Sequence, residues 1–267
     1  MKDTIHLIQI PFTGLGLQNG YRGDEWLRHR IEIFKNYTLK SLLNQTEKRF
    51  VTWLCFREKE KTNLQVIELF AYLTSLNFPV IFTFGGIVFW DDKYPNDNLL
   101  ERLKITLPEL KNIVGNKKYV YETILASDDM YHKDAFKTIQ QQEFREQKAL
   151  VHWKGFILNQ ETGQLAEWKP IENHLPPFYT IMYPADVFMN PEKHFEYMKG
   201  YKSHEDIERL FDCVKLPDYR YCVVTHGKNI STTWQWHRLF KLIRHPFIGR
   251  EFKGEKKEKW LREFGVI

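Results

Sequence analysis

The chain has 267 residues, of which 43% are hydrophobic, 15% aromatic and 27% charged, with a formal net charge of +5; this is the profile of a globular protein, not of a disordered or fibrous one. That length buries a large core and accommodates one α/β domain or a domain with an appended C-terminal lobe. No stretch approaches the roughly 18 apolar residues that a bilayer-spanning helix needs, and Cys55, Cys213 and Cys222 make neither a disulfide framework nor a Cys-x-x-Cys knuckle, so a reducing, cytoplasmic setting is expected.

Ile5 to Ile10 is a short apolar run closed by Pro11, where a backbone donor is lost, and reads as a first buried strand. Gly14, Gly16, Gly20 and Gly23 follow as a loop, and Asp24 then caps a helix whose apolar side runs Leu27, Ile31, Phe34, Thr38, Leu42. A second strand is expected at Phe50 to Phe56, a helix at Leu64 to Leu76 and a third strand at Pro79 to Phe84. This alternation implies parallel strands joined by helical crossovers, an open α/β sheet. Helix is expected again from Asp97 to Val114, strand from Tyr119 to Leu125, and helix from Lys133 to Gln147. Leu150 to Leu158 and Leu165 to Trp168, joined by a turn at Gln160 to Gln164, read as a hairpin. The loop from Glu172 to Pro177 is the softest subdivision, and Tyr221 to Val224 is a further strand.

The strand at Tyr119 ends directly at Ser127-Asp128-Asp129, where open α/β sheets bind ligands. Adjacent aspartates repel, and both stay ionised most easily when a divalent cation lies between them and a phosphate. Oxygen ligands suit Mg or Mn, and such an ion draws charge from a departing nucleoside diphosphate. The plain alternative is a helix cap with a solvated neighbour. Asp91-Asp92 is a rival pair, set in a turn-rich loop. Gly14-x-Gly16-x-x-x-Gly20 differs from a dinucleotide-binding turn in its third glycine, and Arg57 stands where an acidic residue would end the second strand. Phosphate-binding Gly-x-x-x-x-Gly-Lys loops, Gly-x-Ser-x-Gly elbows and His-Glu-x-x-His helices are all missing from the sequence, which weighs against kinase and hydrolase chemistry.

Trp26 to Phe34, Tyr37 to Thr46 with its Ser-Leu-x-x-Gln-Thr helix end, and Phe50 to Leu54 together resemble the rhamnosyltransferase family, within the inverting family-two glycosyltransferases of A-type fold. The resemblance continues through Ile124 to Asp129 and more faintly through Thr225 to Ser231, and so covers most of the chain. It implies a Rossmann-like, mostly parallel central sheet flanked by helices, with a mixed C-terminal lobe. About residues 1–130 would form the nucleotide-sugar half, and about 131–267 the acceptor half. It also implies that Asp128 and Asp129 bind a Mn or Mg ion and the donor diphosphate, with His226 as a further metal or phosphate contact. Ala126 departs from the common Asp-x-Asp-Asp pattern, which puts strict metal dependence in question.

Inverting transfer needs a carboxylate to take the acceptor proton, and the resemblance points to Asp206, then Glu205, in Ser203-His204-Glu205-Asp206. An acidic first turn complementing a helix dipole is the alternative. Donor binding is expected from the loop Pro11 to Arg22, from Arg57-Glu58, from Ser127 and Asp128, and from Arg22, Arg28 or Arg30 acting on the diphosphate. Trp234 and Trp236 are expected to pack the C-terminal lobe. Lys253, Lys256, Lys257 and Lys259 read as a solvated face, or as attraction to an anionic membrane surface.

The expected partners are thus a nucleotide-sugar donor and a glycan or lipid-linked glycan acceptor, with no nucleic acid. The expected reaction moves a hexose or deoxyhexose, rhamnose among them, to a glycan hydroxyl with inversion. Two rivals remain: a dinucleotide-dependent oxidoreductase using the Gly14 loop, and a catalytically degenerate transferase that only binds glycans.

Overall fold

The computed structural model describes residues 2–13, 23–86, 97–169, 175–201, 203–227, 234 and 247–267. Its strands are β1 (Thr4–Pro11), β2 (Val51–Cys55), β3 (Val80–Thr83), β4 (Tyr119–Ile124), β5 (Met130–Tyr131), β6 (Lys148–Asn159), β7 (Leu165–Lys169), β8 (Tyr179–Pro184), β9 (Asp212–Thr225) and β10 (Phe247–Phe252). The helices are α1 (Asp24–Ile33), α2 (Leu39–Leu43), α3 (Leu64–Ser75), α4 (Asp97–Val114), α5 (Ala135–Gln140), α6 (Ala185–Met189), α7 (Pro191–Tyr197), α8 (Ile207–Leu210) and α9 (Gly254–Glu263).

The strands form one sheet in the order β10-β7-β6-β8-β4-β1-β2-β3, with β9 beside β5 and β6. Strands β4, β1, β2 and β3 run parallel, while β8, β6, β7 and β10 are joined antiparallel. This is the expected α/β class, with a parallel N-terminal part and a mixed C-terminal part. The chain goes from β1 outward through β2 and β3, then returns to the other side of β1 as β4. At such a reversal open α/β sheets bind a ligand in a crevice outside the strand ends, here the carboxyl ends of β1 and β4.

Burial follows the period of each element. On β4, Tyr121 packs on one face with Ile8, Ile10 and Leu54, and Val120 and Ile124 pack on the other with Leu103, Leu107 and Tyr183. Glu122 shares that second face, buried close to Tyr179, Tyr183 and Tyr201, while the Tyr183 hydroxyl donates to Met198 Sδ at 3.1 Å. The first helix carries a π-turn at Phe34–Thr38 between α1 and α2. The extra residue in the ladder re-phases the helix, so Phe34 and Leu39, five apart in sequence, are both buried. Asp24 is the first helical residue, and Gly23 at φ 96° precedes it, where the expectation made Asp24 the cap.

The helix expected over 133–147 is short, ending at Gln140. Beyond it Gln142 accepts from the Tyr121 hydroxyl at 2.9 Å, Phe144 stacks on Tyr119 at 3.9 Å, and Gln147 has φ 50°, so tertiary contacts override helix propensity there. The hairpin pairs Leu158 with Leu165 as expected. β9 is far longer than the expected Tyr221 to Val224 and runs parallel to β6 from Lys148↔Asp212 to Asn159↔Thr225. At Gly155 a Cβ would lie 2.3 Å from the Tyr221 ring, so Gly155→Ala should displace that ring and lower stability by about 1–3 kcal/mol. Urea unfolding of the variant checks this, and an unchanged midpoint would contradict the packing described.

Candidate active site

Ser127, Asp128 and Asp129 follow β4 at the crevice. The Leu125 N–H donates to the Gln9 carbonyl at 2.9 Å, and the Asp129 N–H closes a turn onto Ala126 at 3.2 Å. All three side chains are buried, the two aspartates at 6% and 7% exposure. Neither is a solvated surface residue, and neither caps a helix, since α5 begins only at Ala135. Short β5 then pairs Met130 with Cys222 and Tyr131 with Tyr221. The strand β9 thereby delivers its last residues to the aspartates: the Val224 N–H donates to Asp129 Oδ1 at 3.0 Å.

Two further groups converge on Asp128. Arg30, buried on α1, donates from Nη1 to Asp128 Oδ2 at 2.5 Å, and its guanidinium also lies 5.6 Å from the Trp26 ring. His226, one residue past β9, places Nε2 3.2 Å from the same oxygen. His29 meets the His226 ring edge-on with centroids 5.3 Å apart. Burial works to raise the Asp128 pKa, but the Arg30 guanidinium and His226 outweigh it and hold the carboxyl below its usual range. Asp129 goes the other way, pushed well up by burial and by the charge of Asp128. Adjacent carboxylates are thus driven apart in proton affinity, as environments of opposite polarity do.

The residues do not fit the expected cation. Among the described residues, the side chains that bring three metal-ligating atoms within 4.8 Å of one another are His132, Asp134 and Glu263, not Asp128, Asp129 and His226. The Asp128 oxygen that faces His226 already holds a guanidinium. A divalent ion on that carboxylate would compete with the guanidinium for the same oxygen and be repelled by it. Expelling Arg30 instead breaks a buried ion pair, which costs about 3–5 kcal/mol.

The His132 cluster is no better suited. Its Nδ1 takes the Asp134 N–H at 3.1 Å and Arg220 at 2.8 Å, its Nε2 faces Glu263 at 3.2 Å, and Lys133 also pairs with Glu263. Burial and Arg220 lower the His132 pKa to about 4. With two cations already present, this cluster ties α9 to the segment after Asp129. The Asn44-Gln45-Thr46 motif does the same work. Gln45 Nε2 donates to the Ser41 and His132 carbonyls at 3.0 and 2.9 Å, Asn44 Nδ2 donates to the Arg262 and Glu263 carbonyls, and the Thr46 N–H donates to the Lys133 carbonyl at 2.7 Å. The helix end that carried the family resemblance therefore clamps the chain at His132-Lys133 and α9, with Gln45 its buried member.

The other expected residues fall as follows. Pro11 is buried at the end of β1, opposite Cys55. Glu58 is exposed, and the carboxylate that faces the β1 loop is Glu60, 2% exposed. Glu60 accepts the Thr13 hydroxyl and the Arg57 N–H, both at 2.7 Å. It stands three residues after Arg57, but with Arg57 where a Ser or Thr would cap, no capping-box signature marks it in the sequence. Arg28 is exposed. Trp234 packs partly buried against the core, as expected. Arg22, Gly14 to Gly20, Asp91-Asp92, Lys228 to Ser231 and Trp236 lie outside the described residues.

Glu205 and Asp206 receive a different setting from the expected one. Asp206 accepts the Ser203 N–H at 3.0 Å in a capping box and pairs with Arg209, while Glu205 is exposed. They precede β9 and His226 follows it, so they stand at the opposite end of that strand from the residue that meets Asp128. The basic α9 turns Trp260, Leu261 and Phe264 into a core cluster and leaves Lys256 and Lys259 exposed. No helix among the described residues is long and apolar enough to cross a membrane.

No protein-family model and no curated protein sequence matches the chain. Among solved structures it is similar to Staphylococcus aureus TarS 1-349, with 15% identity over 82% of this chain and 60% of that one and a TM-score of 0.38. It thus spans less than two thirds of that protein's length, and the same TarS segment is also known in complex with UDP. It is similar to mouse xyloside xylosyltransferase 1 at 12% identity, over 78% of this chain and 81% of that one, TM-score 0.38. A third likeness is the T. maritima inositol-1-phosphate CTP transferase at 12% identity, over 83% of this chain and 85% of that one, TM-score 0.36. Likenesses of this depth carry no activity over to this chain.

Proposed function

We propose that the protein is a nucleotide-sugar-dependent glycosyltransferase of A-type fold whose donor diphosphate lies in the crevice at Ser127, Asp128, Arg30 and His226. The observation that carries this reading is the burial of two adjacent carboxylates, a guanidinium and an imidazole together at the point where the winding of the sheet reverses. Structural surface charge does not require such a grouping, whereas binding a charged ligand at strand ends does. The family resemblance of the segments at Trp26 to Thr46 and Ile124 to Asp129 points to the same chemistry.

In the proposed reaction the acceptor hydroxyl oxygen bonds to the anomeric carbon as the bond from that carbon to the diphosphate oxygen breaks. The bonding electrons leave with the diphosphate, and the acceptor proton passes to a carboxylate. Attack opposite the leaving group inverts the centre. Rhamnose or another hexose is the proposed sugar, and a glycan hydroxyl the proposed acceptor.

A thermal-shift panel of nucleoside diphosphates, their sugars and NAD, followed by an assay for donor hydrolysis, tests the reading. A nucleoside diphosphate should raise the melting temperature and its sugar should be turned over slowly to free nucleotide. Stabilisation by NAD alone would move the chain to the oxidoreductases, and binding without turnover would make it a glycan-binding relic of a transferase.

A further inference from the structure

We propose that Arg30 takes the place of a divalent cation in this crevice: its guanidinium is the positive group that a nucleoside diphosphate meets, and the diphosphate binds without metal. The inference rests on the reading of the crevice as a nucleoside-diphosphate site and goes beyond it by naming the cation.

The geometry is specific. Arg30 Nη1 is committed to Asp128, and the Trp26 ring flanks the guanidinium, so the planar group is held at one edge. The Nε–H on its far side is buried and has no hydrogen-bond partner. The Ser127 hydroxyl, on the residue preceding Asp128, is likewise buried and without a partner. Buried donors are left unpaired only at a cost; one of these belongs to the arginine paired with Asp128 and the other to the residue before it in sequence. The Nε edge of a guanidinium offers a paired set of donors that matches two phosphate oxygens, and the serine hydroxyl adds a third. Asp128 then acts as a positioning residue, an anchor that fixes the arginine instead of a ligand that fixes a metal. The same ion pair that excludes a divalent ion from the carboxylate leaves a donor edge free for an anion.

Calorimetric titration of UDP, dTDP and inorganic pyrophosphate into the full chain, once with EDTA and once with Mn(II), reads this directly. The wild type should bind with the same affinity in both, within about twofold. Arg30→Lys keeps the charge and loses the fork, and should weaken binding about tenfold. Because Arg30→Gln alone strands a buried carboxylate, the neutral pair Arg30→Gln with Asp128→Asn is the second variant, checked for fold by circular dichroism, and it should weaken binding further. Mn(II) paramagnetic resonance adds a reading of opposite sign: the wild type should leave the ion free, and Arg30→Gln, confirmed folded by circular dichroism, should retain it. Loss of wild-type binding in EDTA, or unchanged binding by both arginine variants, overturns the inference and leaves the nucleoside-diphosphate reading standing. If neither nucleotide nor pyrophosphate binds under either condition, both fall.

Discussion

Asp128→Asn and Asp129→Asn should move the stability of the protein in opposite directions at neutral pH, although the two residues are neighbours. Asp128→Asn removes the anion from the buried Arg30 guanidinium, and breaking such a pair costs about 3–5 kcal/mol, a fall in melting temperature of roughly 10 °C. Asparagine at 129 still accepts the Val224 N–H that Asp129 Oδ1 takes, and it removes a carboxyl that burial and Asp128 disfavour as an ion. Its melting temperature should exceed the wild type. The pH dependence has a defined sign. Asp129, raised in the folded state, contributes stability below its unfolded value of 3.8 that is lost as pH rises through its folded pKa. Asp128, lowered, contributes stability above 3.8 that is lost as pH falls through its folded pKa. The gain from Asp129→Asn should therefore widen toward alkaline pH. Melting curves of both variants from pH 5 to about pH 9 decide it, and an equal loss in both would show that the pair is not partitioned in this way.

Glu122→Gln should stabilise the protein at alkaline pH and do little at pH 4. Burial among the tyrosines pushes Glu122 up from 4.5 to about 8. A raised carboxyl contributes stability that is complete below 4.5 and disappears as pH climbs through about 8. The displacement corresponds to on the order of 5 kcal/mol, which makes Glu122 a leading source of alkaline sensitivity in this fold. Glutamine, which never ionises, should flatten the decline between pH 5 and about pH 8.5 in a denaturant series. A wild-type stability that stays level over that interval would mean that water reaches the carboxyl.

The α/β alternation was legible because its signals are local. The helix from Asp97 to Val114 was bounded correctly, and the turn between Leu158 and Leu165 gave the hairpin register. The position of Asp128-Asp129 at a strand end followed from the run beginning at Tyr119. What could not be read was pairing at a distance. Arg30 was one of several arginines on an amphipathic helix until the fold set it against Asp128, 98 residues away. Glu205 and Asp206 carried a motif-like acidity that a Ser203 capping box explains. The truncated α5 shows local helix propensity yielding to the stacking of Phe144 on Tyr119. The π-turn at Phe34 also lay beyond reach, since a simple period of three and four predicts an unbroken helix.

Arg30 lies 98 residues before Asp128, and His226 lies 98 residues after it. A ribosome adding about 5–20 residues per second therefore makes the carboxylate roughly 5–20 s before the imidazole that shares its oxygen. For most of that interval β9 does not yet exist, and Val224 is not there to hold Asp129. The nascent chain must keep both acids in water while the parallel strands are already able to pair. Closure of the crevice is thus the late event in the birth of this molecule, and the order of synthesis leaves its charged floor open until the final parallel strand arrives.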